Sequence, residues 1–365
     1  MERDTVVQAG PGRYLHGAGT AGRLGELLRP YGTRWLVVTG RRSWDAAREA
    51  VEAGLRASGG QWAVVRYGGE CSEEAALRVL DEAGPAWDAV VGVGGGKVLD
   101  LSKVVARALR VPLATVPTLA SNCAATTPVA VVYGPDGAFK TSRVLEAPPA
   151  VTVVDDAILA RAPWRYFVSG IGDTLAKPYE AAVGAGANLD VLARAGLALA
   201  ELAGAVITAK GPAAVEQAVR GEVGPEAREV TDAVLLLGGM VGGVGGDACR
   251  AAAAHAVHNG LTLLAETHAA LHGEKVAYGL LVQEVLLGHG ADGVRRLAAV
   301  LRTLRLPDRW QALTGGRPLP DRRVLAEVAR KSLAPDDTMH RMPRVITVED
   351  VVEAFLEVER VAGGA

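Results

Sequence analysis

The alternation of apolar and polar positions changes character once along this chain. Leu24, Leu27 and Leu28 mark a first helix, and Trp35-Leu-Val-Val-Thr39 then forms an uninterrupted apolar run bounded by polar residues. Such a run predicts a strand buried on both faces. A helix through Val51 and Leu55, a strand over 63–67, a helix entered at Ser72-Glu73-Glu74, a strand over 89–93, a helix over 99–110 and a strand over 113–116 follow. Strands alternating with helices predict a parallel sheet with crossover helices. Apolar residues over 129–133 and at Phe139 flank Gly134-Pro135-Asp136-Gly137, which predicts a hairpin whose turn needs positive φ. The last expected strand covers 151–154. From about residue 157 only helical periodicity remains, over 189–210, 213–220, 226–240, 248–264, 276–288, 294–304, 323–333 and 348–361. The predicted fold class is an α/β parallel-sheet domain, 1–160, followed by an all-α domain, 161–365.

Length supports that division, because 365 residues exceed one ordinary hydrophobic core. A net charge of −2 gives no electrostatic footprint for nucleic acid or an acidic membrane. The three cysteines, Cys71, Cys123 and Cys249, are widely spaced and odd in number, against both a disulfide framework and a cysteine zinc knuckle. Met-Glu-Arg-Asp at the start lacks a signal-peptide pattern, and the uncharged run 233–246 is shorter than the ~20 residues that span a bilayer. The expectation is a cytoplasmic protein with a small-molecule substrate, no nucleic-acid partner and no membrane.

Two stretches suggest chemistry. The strand ending at Val93 runs into Gly94-Gly95-Gly96-Lys97 and directly into a helix. Glycines there let backbone N–H groups approach an anion at a helix N-terminus, so a diphosphate is expected, although the spacing is neither GxGxxG nor GxxxxGK[ST] and a ligand-free tight turn has the same signature. The second stretch holds four of the seven histidines, His255, His258, His268 and His272, within an Ala/Leu/Gly-rich setting. Neutral imidazole is the commonest protein metal ligand. A third ligand would complete a site with an open position, and Asp173 in Gly170-Ile-Gly-Asp is the best candidate; satisfied core histidines are the competing explanation.

These pieces, in order, resemble the iron-containing alcohol dehydrogenase superfamily, and within it the glycerol dehydrogenase-like branch with its bacterial hydroxycarboxylate dehydrogenase relatives. The resemblance rests on Gly94-Gly-Gly-Lys-Val-Leu-Asp100, Val116-Pro-Thr-Leu-Ala-Ser121, Gly170-Ile-Gly-Asp-Thr-Leu-Ala-Lys177, Ala252-Ala-Ala-His-Ala-Val-His258-Asn-Gly and His272-Gly-Glu-Lys-Val-Ala-Tyr278. It covers nearly the whole chain. It implies a Rossmann-like NAD(P)-binding domain, a helical second domain, and one divalent metal on Asp173, His255 and His272, Zn²⁺ ahead of Fe²⁺. Gly40, Arg41, Gly94, Gly95, Gly96, Lys97, Asp100, Thr118, Ser121 and Val131 become the expected cofactor-binding set. His258 becomes a residue behind the metal or facing substrate, and His268 a surface residue. The implied activity is hydride transfer between NAD(P)H and a small carbonyl or alcohol in a homo-oligomer, dimer or octamer. A sugar-phosphate cyclase of the dehydroquinate synthase type, a lyase, is the rival from another reaction class.

Two departures from the branch matter. Where its glycerol-specific members carry an Asp that receives substrate hydroxyls, this chain has Cys123, a poor acceptor. Lys177 lies one turn beyond Asp173, and Arg250 is expected on the same helix as His255, so both are candidates to bind a substrate carboxylate. That points to a 2-oxo acid/2-hydroxy acid pair, with Lys177, Arg250 and His258 as the catalytic set, against the alternatives that Lys177 only neutralises carboxylates such as Glu180, or that the substrate is glycerol or another polyol. The second departure is at the end of the first long strand, where NAD-specific members have an Asp and this chain reads Thr39-Gly40-Arg41-Arg42. Two guanidinium groups in place of a carboxylate lean toward NADP, unless they are solvated surface charges.

Overall fold

The computed structural model describes residues 6–84, 86–134, 139–186 and 190–362. The chain divides into two units, one of Met1–Pro163 with Arg220–Gly224, the other of Trp164–Val219 with Pro225–Ala365.

The first unit contains strands β1 (Arg13–Gly17), β2 (Arg34–Gly40), β3 (Gln61–Tyr67), β4 (Ala89–Gly94), β5 (Leu113–Pro117), β6 (Val129–Tyr133), β7 (Phe139–Val144) and β8 (Val151–Asp155). Its helices are α1 (Leu24–Leu28), α2 (Arg41–Ala57), α3 (Glu73–Ala83), α4 (Gly96–Leu109) and α5 (Asp156–Leu159). Six strands form one parallel sheet in the order β1-β8-β5-β4-β2-β3, and β6 pairs antiparallel with β7. The turn expected at 135–137 lies outside the described residues. Trp44, Val51 and Leu55 of α2 pack on one face of the sheet with Trp35, Val37 and Val91, whereas α3 and α4 pack on the other with Leu36, Val38 and Val90. Helices leaving the adjacent strands β2 and β4 toward opposite faces open a crevice between the strand ends, which is where open parallel sheets bind ligands. Gly40 and Gly94 end those two strands.

Strand β1 was not expected from the sequence. Arg13-Tyr-Leu-His-Gly17 has no continuous apolar run because it is an edge strand paired only with β8.

The second unit is helical: α6 (Trp164–Ala185), α7 (Val191–Val219), α8 (Pro225–Asp232), α9 (Gly238–Arg250), α10 (Ala253–Leu261), α11 (His272–Leu286), α12 (Gly290–Thr303), α13 (Trp310–Thr314), α14 (Arg322–Ser332) and α15 (Val348–Ala362). Helix α7 and the continuous run Pro225–Arg250 are long and apolar enough to cross a bilayer, although the uncharged run 233–246 is too short to do so. Both are packing helices here, with α7 lying against α6, α8 and α9. The single helix expected over 248–264 is two helices, because Ala251 is extended and Ala252 is non-helical; a separate kink at Gly246, with φ of 62°, lies within α9. Arg250 therefore ends α9, and His255 belongs to α10.

Candidate metal and cofactor sites

Three helices converge because glycines let their backbones touch. A Cβ on Gly273 would stand 1.7 Å from the Ser169 carbonyl oxygen, and one on Gly172 would stand 2.5 Å from the Gly273 oxygen. This crossing of α11 on α6 puts His272 beside Asp173. The Gly273 N–H donates to Ser169 Oγ at 3.0 Å, and Arg165 grips Glu274 through two hydrogen bonds of 2.6 and 2.7 Å. A Cβ on Gly279 would likewise stand 2.5 Å from the Ala254 oxygen, which sets α10 against α11.

The N-terminus of α10 is capped from other helices. Glu180, two turns beyond Asp173 on α6, accepts the N–H groups of Ala252 and His255 at 2.7 and 3.0 Å, while Gln283 Oε1 accepts that of Ala254 at 3.1 Å. The other oxygen of Glu180 accepts His255 Nδ1–H at 2.6 Å. A proton fixed on Nδ1 turns Nε2 of His255 toward Asp173.

Asp173, His255 and His272 form the one group of metal-ligating side chains found among the described residues, their ligand atoms all within 4.8 Å of one another. Asp173 Oδ1 lies 3.2 Å from His255 Nε2 and 3.3 Å from His272 Nε2. Ligands at tetrahedral angles around Zn²⁺ are spaced by about 3.3 Å, given bonds of about 2.0–2.1 Å. When neither facing Nε2 carries a proton, the buried Asp173 Oδ1 has no hydrogen-bond donor. A buried carboxylate oxygen facing two ring nitrogens at those distances is costly unless a cation sits between them, so these residues fit a divalent metal. Asp173 is buried at the floor and His272 is 38% exposed, which leaves an approach on the His272 side.

The electrostatics agree. Burial works against ionised Asp173, yet the Lys177 ammonium and the two imidazoles hold its carboxyl well below the usual range. Burial also works against charged His255, but Glu180 and then Asp173 raise it to about 9, so a proton occupies this point when no metal does.

His258 sits behind His272. Its Nε2 lies 3.1 Å from His272 Nδ1, its Nδ1 lies 3.0 Å from Asn259 Oδ1, and Asn259 Nδ2 donates to Asp337 Oδ2 at 3.0 Å. Burial, followed by repulsion from the neighbouring His272 and Lys275, pushes His258 well below the usual imidazole value, so it is neutral. Both its nitrogens are therefore committed. His268 is exposed and bonds the Thr262 carbonyl, and His340 bonds the Asp337 carbonyl.

Lys177 is buried, 4.0 Å from Asp173 Oδ1, and its Nζ donates to the Arg250 carbonyl at 3.5 Å. The Arg250 guanidinium turns back to Asp247 and the Gly242 carbonyl on its own helix. Sequence reasoning did not single out Glu180 as an orienting group, although its heptad spacing from Asp173 on one helix face carried that signal. Gln283, Asn259 and Asp337 carried no local signal.

In the sheet unit, Gly95 caps α4 in an extended conformation with no side-chain cap; its carbonyl takes the Val98 N–H at 3.0 Å, which leaves the N–H groups of Gly96 and Lys97 at the start of this 14-residue helix to meet an anion. Leu119 and Asn122 close over the turn, where a Cβ on Gly95 or Gly96 would lie 2.9 or 3.2 Å from them. The turn therefore fits the cradle a diphosphate needs. Thr118 donates its N–H to the Gly94 carbonyl at 3.0 Å, and Ser121 and Cys123 are half-buried on the same loop. Lys97 is exposed and paired with Glu70. Asp100 is committed within the fold: it accepts Lys103 Nζ at 2.9 Å and the Val131 N–H at 3.1 Å, joining α4 to the β6 strand. Arg41 and Arg42 open α2 and are exposed beside Gly40.

A parallel sheet with an uncapped glycine turn, joined in one chain to a helical unit holding a carboxylate and two imidazoles, defines the metal-holding dehydrogenases. The family profile of iron-containing alcohol dehydrogenase matches residues 11–156. Glycerol dehydrogenase of Pseudomonas putida is 36% identical over 97% of this chain and 96% of its own length. Hydroxycarboxylate dehydrogenase A of Escherichia coli is 34% identical over 97% of each. The crystal structure of a probable glycerol dehydrogenase from Sinorhizobium meliloti superposes with a TM-score of 0.87 at 31% identity, over 99% of this chain and all of that one. The chain belongs to the iron-containing alcohol dehydrogenase family and is a dehydrogenase acting on CH–OH groups. Nothing in these relatives supports the lyase alternative.

Proposed function

We propose that the protein reduces small 2-oxo acids, and oxidises the matching 2-hydroxy acids, using NADP(H) ahead of NAD(H) and Zn²⁺ ahead of Fe²⁺. The observation that carries the substrate half is the charge balance around the cradle. Asp173 and Glu180 are buried carboxylates, while Lys177 and Lys275 are buried ammonium groups in the same region. With the buried Asp337 behind His272 the carboxylates exceed the ammonium groups by one, so a divalent ion would leave a net charge of one positive. A surplus of that sign favours an anionic substrate over a neutral polyol. When bound, the ion supplies Lewis acidity to polarise a carbonyl. Asp173, His255 and His272 hold it, Glu180 keeps His255 Nε2 directed to it, and Lys177 offers a cation one turn away for the substrate's carboxylate.

The glycine turn would hold the cofactor diphosphate, and Arg41 and Arg42 would favour a 2′-phosphate. Glycerol oxidation is the second reading, favoured by the glycerol dehydrogenases among the relatives. Cys123, where the glycerol branch has an Asp, weighs against it. A cytoplasmic homo-oligomer, dimer or octamer, is part of the proposal, to be tested by light scattering on the purified protein.

The deciding assay compares 2-oxobutyrate, 2-oxoglutarate and glycerol with both cofactors at verified metal content. Glycerol turnover equal to that of the oxo acids defeats the substrate reading, as does Lys177→Ala leaving the oxo-acid KM unchanged. A preference for NADH of about tenfold, roughly 1.4 kcal/mol, defeats the NADP reading.

A further inference from the structure

We infer that Asp337, Asn259 and His258 form a hydrogen-bonded chain that sets which nitrogen of His272 carries its proton, making all three positioning residues for the metal site. The inference rests on the metal reading of Asp173, His255 and His272. Nothing local in the sequence points to it, since Asp337 lies 78 residues from Asn259.

The direction of each link follows from the end that cannot donate. An ionised carboxylate only accepts, so Asp337 Oδ2 takes a hydrogen from Asn259 Nδ2 at 3.0 Å. That fixes the amide, and Asn259 Oδ1 faces His258 Nδ1 at 3.0 Å as an acceptor. The His258 proton is thereby held on Nδ1, and its Nε2 accepts from His272 Nδ1–H at 3.1 Å. His272 Nε2 then presents its lone pair toward Asp173 Oδ1, 3.3 Å away. Reversing any one link would place two donors or two acceptors face to face.

The anchor of the chain is itself fixed. Asp337 is buried, and its other oxygen accepts the Thr338 N–H at 2.7 Å. In the 3₁₀ turn that follows, Thr338–Arg341, Thr338 Oγ1 donates to the Ala252 carbonyl at 2.6 Å and Arg341 Nη1 to the Ala251 carbonyl at 2.8 Å. One short segment thus braces the two non-helical residues that lead into α10 and, through two side chains, the ring of His272. The two metal histidines are oriented by different means. His255 Nδ1 bonds a carboxylate directly, whereas His272 Nδ1 reaches one only through a neutral imidazole and an amide.

The test uses the full-length protein stripped of metal and titrated with Zn²⁺ against a chromophoric chelator, and with Co²⁺ for its d–d spectrum. Asp337→Ala and His258→Leu are expected to weaken Zn²⁺ binding about 10- to 100-fold and to alter the Co²⁺ spectrum. His258→Gln is expected to recover most of the loss, because its amide donates to Asn259 and accepts from His272 with the same polarity. Unchanged Zn²⁺ affinity in Asp337→Ala and His258→Leu overturns the inference, and so does equal loss in His258→Leu and His258→Gln, which marks a packing role. If His258→Leu does not fold, Asp337→Ala against Asp337→Asn, which keeps an acceptor oxygen, makes the same comparison. A wild-type protein that binds neither ion at one site per chain rejects the metal reading itself; a wild type that binds, with unaffected variants, rejects only the chain.

Discussion

Glu180 shows how much one side chain carries. It caps α10, fixes the tautomer of His255 and raises that imidazole to about 9, all from a buried position on the helix that bears Asp173. A group whose value is raised in the folded state stabilises fully below its unfolded value, about 6.5 for His, and loses that contribution as pH climbs through the folded value. Asp173 and Glu180 have lowered values and act in the opposite sense, contributing above the usual carboxylate range and losing effect as pH falls. The metal-free protein is therefore expected to lose stability between about pH 6.5 and about pH 9, by an amount on the order of 3 kcal/mol from His255. Glu180→Gln should flatten that slope, because it removes the largest attraction for the imidazolium. Melting curves of both metal-free proteins across this range decide the point, and parallel slopes would refute it.

At the scale of elements, the site depends on backbone contact between α6, α10 and α11. The expected consequence of Gly273→Ala is loss of stability by about 3 kcal/mol or more, because a backbone oxygen at 1.7 Å has no flexible end to move aside. Metal binding should fall further than stability, since the same displacement parts His272 from Asp173. A soluble Gly273→Ala protein with wild-type melting and wild-type Zn²⁺ affinity would contradict the crossing described. Gly95→Ala should be milder, because the atom it meets is the tip of Leu119, with the effect read in cofactor KM. The same elements show what was legible in the sequence. Continuous apolar runs gave β2, β4, β5 and β8, and clustered histidines with Gly170-Ile-Gly-Asp gave the three metal ligands. The break at Ala251 and Ala252 was not legible, because no glycine or proline stands at those two positions and the alanines around them favour helix. What opens the helix there is tertiary: Glu180, Arg341 and Thr338 take the freed N–H and carbonyl groups.

For the whole molecule, the separation of the two sites into two units gives an expectation that neither site gives alone. The metal cradle draws every ligand and support from the helical unit: Asp173 and Glu180 on α6, His255 on α10, His272 on α11, with Asp337 behind. The glycine turn, Gly40 and Arg41 all belong to the sheet unit. A ligand that binds only the native form stabilises it by RT ln(1 + [L]/Kd), about 2.7 kcal/mol at a hundredfold excess over Kd, and the protection falls first on the elements it touches. Hydrogen exchange should therefore slow within 169–185, 252–261 and 271–286 when Zn²⁺ is added to the stripped protein, and within 40–45 and 94–100 when NADPH is added. Because Zn²⁺ must displace the proton held on His255 up to about 9, its protective effect at a fixed concentration should grow as pH rises from about 6.5 toward that value. Asp173→Ala should abolish the Zn²⁺ response while leaving the NADPH response of the glycine turn in place. Zn²⁺ protection that appears in the glycine turn and not around α6, α10 and α11, or that survives Asp173→Ala, would move the metal away from the only cluster that has been built to hold it among the described residues.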